Sequence, residues 1–180
     1  VGHSAIAQAP ADGYTIGMIT VEITMMHWQG LTDLGPTSYT PLALVNSDPA
    51  GMTVRADSPY KTVKDVVDAI KANPGKVSFA SAGNGTTSHL AGVRFAQLTG
   101  TDIQHIPYKG GGAAMTGVLG GDVQMMIDLM VSVYPNAKAG KLKGLAVTTK
   151  QRVPTAPDVP TLDESGVPGF DMAASDGVYA

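Results

Sequence analysis

The chain has 180 residues, of which 43% are hydrophobic and 15% charged, and its formal net charge is −3. This is the composition of a folded globular protein. Because the net charge is negative and the basic residues do not cluster, the sequence offers no basic patch for a phosphate backbone, so we expect no nucleic-acid partner. No cysteine is present, which excludes disulfides and thiolate metal sites. No apolar run is long enough to span a bilayer, so we expect no membrane insertion.

The first part of the chain predicts a helix end, a turn and a strand. Residues 1–9 have the pattern of the back half of a helix, and a turn with proline and glycine leads into a strand at 14–19. A loop or helix start follows at 20–24. Trp28 stands beside two methionines and is interpreted as a packed side chain, with stacking on a ligand as the alternative.

Two extended segments follow, at 42–45 and 52–54. Asp48 and Pro49 lie between them. Because proline cannot donate to a β-ladder, we expect a bend or an edge position there.

Helices and strands then alternate. Thr62 is a predicted N-cap with Asp65 three residues on, and it opens the clearest helix of the chain. The alternation predicts a mostly parallel α/β sheet, in which ligands bind beyond the carboxyl ends of the strands. A proline-rich arm at 151–169, with a short helix at 162–165, precedes an extended segment at 170–173. The predicted helices are 62–71, 87–98, a short one through 115–119, and 131–139; the predicted strands are 77–80, 103–106, 123–129 and 142–148.

The stretch VSFASAGNGTTSHLAG, residues 77–92, predicts a strand, a glycine turn and a helix start. Gly83 and Gly85 permit positive φ, and the hydroxyl residues at 86–88 are N-cap candidates. The first N–H groups of such a helix lie at the positive end of the helix dipole and form a potential anion-binding site. No lysine follows the glycines, which argues against a triphosphate, and the dinucleotide glycine pattern is absent. A carboxylate or another small anion remains, and an ordinary strand-to-helix turn is the alternative.

Few other residues suggest chemistry. His3, His27, His89 and His105 have no metal-ligand spacing, so we expect no metal and no cofactor. His89 lies in the first turn of the predicted anion-binding helix, where it either touches a ligand or is structural. No GxSxG motif occurs.

Two charged residues lie near the predicted ligand edge. Asp128 ends the apolar strand MMIDLM, and a buried carboxylate there requires hydrogen-bond donors. It either orients loop N–H groups around a ligand or caps a helix beginning near Ser132; we favour the cap, with a secondary role in the site. Lys109 offers a charge complementary to an anion, unless it is simply solvated.

Six segments together resemble the Bug family, the extracytoplasmic solute receptors of tripartite tricarboxylate transporters. They occur in the order of the family motifs and cover nearly the whole chain. The segments are DGYT (12–15), FASAGNGTTSHLAG (79–92), IPYKGGGAA (106–114), GGDVQMMID (120–128), AGKLKGLAVTT (139–149) and PDVPTLDESGVPGF (157–170).

The resemblance implies an α/β periplasmic binding protein-like fold of type II, the Venus flytrap, with one nearly complete lobe plus part of the other. It implies a partial first lobe at 1–57, a second lobe with the glycine-rich ligand loop at 58–170, and a return strand at 171–180. We expect further family sequence at both ends. The implied function is capture of a small di- or tricarboxylate or acidic amino acid in the periplasm and its delivery to membrane permease subunits. A monomer without catalytic activity is expected.

Carried over by motif, the resemblance also implies a set of ligand-facing residues. From the first lobe these include Thr20 and Glu22. The family loop at this position is usually rich in glycine, serine and threonine, and the acidic side chain of Glu22 departs from that composition. Because it would repel a second ligand carboxylate or recruit an amine, we hypothesise a ligand other than a plain tricarboxylate. From the second lobe the residues are Ser81, Ala82, Gly83, Gly85, Thr86, Thr87, Ser88, His89, Tyr108, Lys109, Gly110 and Asp128.

Two other functions stay open at this point. An enzyme using the same anion pocket would need a general base, for which His89 and Asp128 are the candidates. A ligand sensor that passes closure to a signalling partner would carry the same sequence features as a transport receptor.

Overall fold

The computed structural model describes residues 2–180, which form helices and strands in alternation for most of their length. A short 3-10 helix, Pro36–Ser38, lies between the second helix and the second strand. In chain order the elements are α1 (Gly2–Ala7), β1 (Gly17–Thr20), α2 (Ile23–Met26), β2 (Pro41–Arg55), α3 (Val63–Ala72), β3 (Ser78–Ser81), α4 (Thr87–Thr99), β4 (Gln104–Pro107), α5 (Gly111–Gly120), β5 (Met125–Leu129), α6 (Met130–Lys138), β6 (Leu142–Val147) and β7 (Ala173–Tyr179).

The chain divides into two compact units. The first contains the described part of Val1–Asp48 together with Ala174–Ala180, and the second is Pro49–Ala173. The family resemblance implied a second lobe that begins at residue 58, whereas the second compact unit begins at Pro49 and includes the second half of β2. Residues 50–54 are buried and pair with β5, so this stretch shares the core of the second unit.

The first unit has a small core. β1 runs antiparallel to β7, with Gly17 opposite Tyr179. α1 lies over this pair: a Cβ on Gly17 would come within 2.6 Å of Ile6 Cγ1, so any larger residue would require the Ile6 side chain to shift. Ile19 and Ile23 are buried beside Tyr39.

Trp28 is not a packed side chain. It is 85% exposed, so its predicted packing is wrong, and the nearby Leu31 is 66% exposed as well. The physical reason is that α2 ends at Met26, before either residue, and the core closes without them. The ring of Trp28 makes an edge contact with His27, at 5.5 Å between centroids.

β2 is one continuous strand, and the predicted interruption at Pro49 is wrong. Pairing with β5 begins at Ala50, one residue after the proline, so the missing N–H of Pro49 removes no bond from that ladder. Thr148 fixes the start of the ladder, because its Oγ1 accepts from the Ala50 N–H at 3.0 Å.

The sheet of the second unit is mixed, in the order β6, β2, β5, β3, β4. β3 is parallel to both β4 and β5, as the alternation predicted. β2 is antiparallel to both of its neighbours, β5 and β6, so the prediction of a mostly parallel sheet is only partly right. The parallel part places the carboxyl ends of β3, β4 and β5 at one edge.

Helices cover both faces of this sheet. On one face α3 and α4 bury Val66, Ile70 and Phe95 against Phe79 and Ile127. On the other face, α5 and α6 pack against the second buried cluster, which includes Ala80, Ala114, Val118, Met126 and Val133.

The predicted start of α3 is confirmed in detail. Thr62 Oγ1 accepts from the Asp65 N–H at 3.1 Å, and Asp65 Oδ2 accepts from the Thr62 N–H at 2.9 Å, which is the reciprocal capping box. The short helix predicted at 162–165 is instead a run of turns, in which Thr161 and Leu162 carbonyls accept from nearby N–H groups. No helix within residues 2–180 is long and apolar enough to cross a bilayer.

Candidate functional site

The glycine loop between β3 and α4 has the backbone that its sequence predicted. Gly83 has φ of +140° and Gly85 has φ of +73°, values that side-chain-bearing residues avoid. A Cβ on Gly83 would also lie 3.4 Å from the Tyr108 carbonyl oxygen. The chain therefore turns sharply from the end of β3 into the helix, close against the turn that follows β4.

Hydroxyl side chains hold this loop together. Thr86 is the N-cap of α4: its Oγ1 donates to the Gly83 carbonyl at 2.7 Å and accepts from the His89 N–H at 3.4 Å. Ser88 Oγ accepts from the Ala82 N–H at 2.9 Å, and Ser81 Oγ accepts from the Gly83 N–H at 3.2 Å. The predicted cap at 86–88 is thus confirmed, with Thr86 in the capping position.

These contacts decide which N–H groups of the loop are engaged. The N–H groups of Ala82, Gly83 and Gly85 donate to side chains of the loop and helix itself. In the first turn of α4, the N–H groups of Thr87 and Ser88 have no acceptor within the helix. Both residues are buried, so the donors at the positive end of this helix lie in a partly desolvated place.

Two stacked histidines lie under the loop. The His89 and His105 rings are 4.1 Å apart at 19°, and His105 also stacks on Phe79 at 4.8 Å. His89 Nδ1 accepts from the Gly85 N–H at 3.1 Å, and His105 Nε2 is 2.6 Å from Ser81 Oγ. An imidazole that accepts through Nδ1 is unprotonated there, so His89 holds the loop in its neutral form.

Burial lowers the pKa of both imidazoles. For His89 desolvation is the cause, and for His105 the adjacent His89 lowers the pKa further. Sequence reasoning did not single out His105 as a site residue. The parallel pairing of β3 with β4, which sets His105 beside Phe79, was the signal that would have found it.

The second turn, Tyr108 to Gly110, is joined to the glycine loop by main-chain bonds. The Tyr108 N–H donates to the Ser81 carbonyl at 3.0 Å, and the Gly110 N–H donates to the Ala82 carbonyl at 2.9 Å. The Tyr108 side chain packs instead on α5, since a Cβ on Gly117 would lie 2.6 Å from Tyr108 Cζ. Tyr108 therefore contributes to the loop through its backbone.

α5 begins directly after this turn without a side-chain cap. Its N-cap is Gly110, with φ of +98°, and glycine has no side chain to satisfy the first N–H groups of the helix. Lys109 is exposed, and no carboxylate of residues 2–180 lies within salt-bridge distance of it. A second helix N-terminus, this one without a side-chain cap and with a lysine beside it, thus lies next to the capped start of α4.

Asp128 lies at the start of α5 and does not cap α6. Its Oδ1 accepts from the Leu129 N–H at 2.9 Å, and Oδ2 would be 2.8 Å from a Cβ on Gly111. The N-cap of α6 is Leu129, which has no side-chain cap bond, so the favoured cap interpretation is wrong. Desolvation raises the pKa of Asp128, and its hydrogen bond to Leu129 opposes this rise.

The first unit contains the remaining two predicted residues. Thr20 ends β1, and Glu22 is the N-cap residue of α2 without a side-chain cap bond. Both are half-buried. Across residues 2–180, no group of three histidine, cysteine, aspartate or glutamate side chains is arranged to hold a metal ion.

Comparison with known proteins gives a consistent family match. The model of the tripartite tricarboxylate transporter family receptor matches residues 1–180. A Pseudomonas sp. (strain P51) protein, described as a UPF0065 protein in the tcbD-tcbE intergenic region, is 34% identical over the whole chain. The chain covers 54% of that relative, so it spans about half the length of the curated relatives it matches.

Solved structures agree with the family match. The periplasmic binding protein BugD superposes with a TM-score of 0.84 at 35% identity, over 99% of this chain and 60% of that one. An R. palustris protein solved with adipate has a TM-score of 0.83 at 30% identity, with 99% and 60% covered. MatC from Rhodopseudomonas palustris, solved with malate, has a TM-score of 0.84 at 27% identity, with 99% and 62% covered. The fold is therefore that of the periplasmic binding proteins of this family.

Proposed function

The chain belongs to the tripartite tricarboxylate transporter family of receptors, and from that premise we propose that it binds a small carboxylate for transport. Its binding element is the pair of turns that precede α4 and α5. The ligand is held by main-chain donors, and no bond in the ligand is made or broken. Capture and release of the intact ligand is the whole reaction.

The observation that supports this proposal is the pairing of two helix N-termini. β3 and β4 are parallel neighbours, so α4 and α5 both begin at the same edge of the sheet. The Gly110 N–H bond to the Ala82 carbonyl ties the two helix starts together. Each start leaves N–H groups without a helical acceptor at the positive end of a helix dipole. A carboxylate, with two acceptor oxygens, suits such a pair of donors.

The histidine and aspartate of the site do not act as general bases in this proposal. His89 Nδ1 is engaged with the Gly85 N–H, and Asp128 is buried with its Oδ1 engaged with the Leu129 N–H. Both side chains hold main-chain groups of the loops. BugD, one of the relatives with a solved structure, is a periplasmic binding protein, in keeping with a receptor that performs no catalysis.

We infer a dicarboxylate or an acidic amino acid as the ligand class. Two structural relatives were solved with adipate and malate, both dicarboxylates. Glu22 adds a negative charge at a position where the resemblance places a ligand contact. A tricarboxylate would bring a further negative group against this charge, whereas an amino group would be attracted to it.

The test is ligand binding by the full-length protein and two variants. Isothermal titration with malate, adipate, aspartate and citrate should show saturable binding of at least one dicarboxylate or aspartate, and weaker binding of citrate. Glu22→Gln removes the acid and should strengthen citrate binding by roughly fivefold, about 1 kcal/mol. Asp122→Asn makes the same charge change on the exposed turn before β5 and serves as the control.

Two results would contradict the proposal. Citrate binding as tight as that of the dicarboxylates in the unmodified protein would remove the role given to Glu22. The absence of binding for every carboxylate, in a protein shown to be folded, would remove the receptor function itself.

We further propose that the whole protein acts in the periplasm as a monomer and delivers its ligand to membrane permease subunits. The family match supports the delivery to a transporter, since the family is that of tripartite tricarboxylate transporter receptors. Deleting the gene in its host should abolish uptake of the ligand found by titration, and restoring it should return uptake. Normal uptake in the deletion strain would contradict the transport role.

A further inference from the structure

The glycine loop contains an asparagine followed by glycine, Asn84–Gly85, and its surroundings differ from those of every other asparagine in the chain. The other three are Asn46, Asn73 and Asn136. Each of these donates its side-chain amide to an oxygen two or four residues away, at 3.1, 3.4 and 3.3 Å. Asn84 is exposed, and its side chain makes no hydrogen bond to residues 2–180.

The main chain that follows each asparagine differs as well. Asn73 precedes a proline, whose nitrogen has no hydrogen to lose. Asn46 lies in β2 and Asn136 in α6, where the main chain is held in regular structure. Asn84 lies in a turn, and the next residue, Gly85, has no Cβ to hinder approach of its nitrogen to the asparagine side chain.

We infer that Asn84 is a site of spontaneous modification, at which the side-chain amide becomes a carboxylate inside the ligand loop. The first step is ring closure: the Gly85 nitrogen bonds to Asn84 Cγ, and the bond from Cγ to the side-chain nitrogen breaks. The proton of the Gly85 nitrogen passes to the departing group, which leaves as ammonia. Water then adds to either carbonyl of the five-membered imide and opens it, giving aspartate or its β-linked isomer. No oxidant or reductant is required.

His89 is placed to assist the first step. Its Nδ1 accepts from the Gly85 N–H at 3.1 Å, so the proton that must leave the nucleophilic nitrogen already points at a basic atom. Burial lowers the pKa of His89, which keeps the ring neutral and able to take a proton at neutral pH. His89 is therefore a positioning residue for the loop and a proton acceptor for the modification.

The expected consequence is loss of ligand binding, and this part rests on the proposed function. The new carboxylate would lie within the loop between Gly83 and Gly85, beside the helix N-terminus that receives the ligand. A fixed negative charge there repels a ligand carboxylate and competes with it for the same donors. The receptor would thus lose activity with age through the chemistry of its own binding loop.

The primary test follows the modification by peptide-resolved mass spectrometry. Freshly purified full-length protein is incubated at neutral pH, and samples are digested over time to measure exchange of amide for acid at each asparagine. We expect Asn84 to react at least about tenfold faster than Asn46 or Asn136, a difference in barrier of about 1.4 kcal/mol. Equal rates at these three positions would overturn the inference.

Two variants separate the parts of the chemistry. Asn84→Gln keeps an amide but would have to close a larger ring, and we expect its peptide to stay unmodified. His89→Gln keeps an acceptor for the Gly85 N–H without a basic nitrogen, and we expect a severalfold slower reaction at Asn84. A rate unchanged or raised in His89→Gln, with the folded state verified by circular dichroism, would overturn the role of His89.

Binding measurements then test the consequence. Aged protein and the Asn84→Asp variant should both lose binding of the best carboxylate found for the fresh protein, whereas ageing should not weaken the binding of Asn84→Gln relative to its own fresh sample. Undiminished carboxylate binding by Asn84→Asp would overturn the predicted loss of binding on modification. If fresh protein binds no carboxylate, the proposed function fails, and the mass-spectrometric result still decides the modification.

Discussion

Removing the Thr86 hydroxyl tests whether the helix cap and the ligand site are the same structure. Thr86→Val is nearly isosteric, and the extended backbone of Thr86, with φ of −82° and ψ of 163°, suits valine. The change removes the acceptor for the His89 N–H and the donor to the Gly83 carbonyl. Thr62→Val is the matched control, since Thr62 caps α3 by accepting from the Asp65 N–H and is not part of the glycine loop.

The expected loss of stability follows from these contacts. Replacing a threonine N-cap by a non-capping residue costs about 1 kcal/mol, which is the expectation for Thr62→Val. Thr86→Val also loses the 2.7 Å bond to the Gly83 carbonyl, a net contribution of about 1 kcal/mol more. We therefore expect a loss of about 2 kcal/mol in the free energy of unfolding for Thr86→Val.

The assay compares stability and binding in the two variants of the full-length protein. Urea denaturation should show a lower free energy of unfolding for both variants. Titration with the best carboxylate should show binding weakened at least about fivefold, or about 1 kcal/mol, only for Thr86→Val. Equal weakening in both variants would mean that general destabilisation explains the effect. Unchanged binding in a destabilised Thr86→Val would refute the link between the cap and the anion site.

Two further predictions concern the packing and the pH response beneath the loop. Gly92→Ala should destabilise the protein by about 1–3 kcal/mol, because the new methyl would come within 2.8 Å of Phe79 Cδ2. Gly112→Ala, with nothing within 4 Å of the new methyl, should be neutral or stabilising in the same urea assay; an equal loss in both would refute the packing argument. Since burial lowers the pKa of His89 and His105, the unfolded chain takes up protons first, and stability should fall as the pH drops below about 6.5. Urea melts at about pH 7.5 and about pH 5.5 should show a smaller fall in the free energy of unfolding for His105→Asn than for the unmodified protein. An identical fall would mean that His105 does not cause the pH dependence.

Several features of the site followed from local sequence. The need for positive φ at Gly83 and Gly85, and the N-caps at Thr62 and Thr86, depend on residues a few positions apart. Glycine, threonine and aspartate express these preferences through their own backbone and side-chain chemistry. Such features were predictable from the sequence alone, as was the alternation of helices and strands through the second unit.

Other features depended on contacts between distant parts of the chain. The direction of β2 and its continuity through Pro49 follow from pairing with β5, which begins only at Ala50. The exposure of Trp28 depends on where α2 ends and which side chains close the core. The sequence neighbours of Asp128 predict a helix cap, but its carboxylate lies against Gly111.

Local sequence therefore determined the loop that turns β3 into α4, together with its cap. The tertiary structure decided that a second helix start lies beside it and that His105 stacks on His89 beneath the loop. The physical reason is that a turn or a cap is satisfied by atoms within a few residues. The partners of a strand, a ring or a buried carboxylate are chosen by packing across the whole sheet.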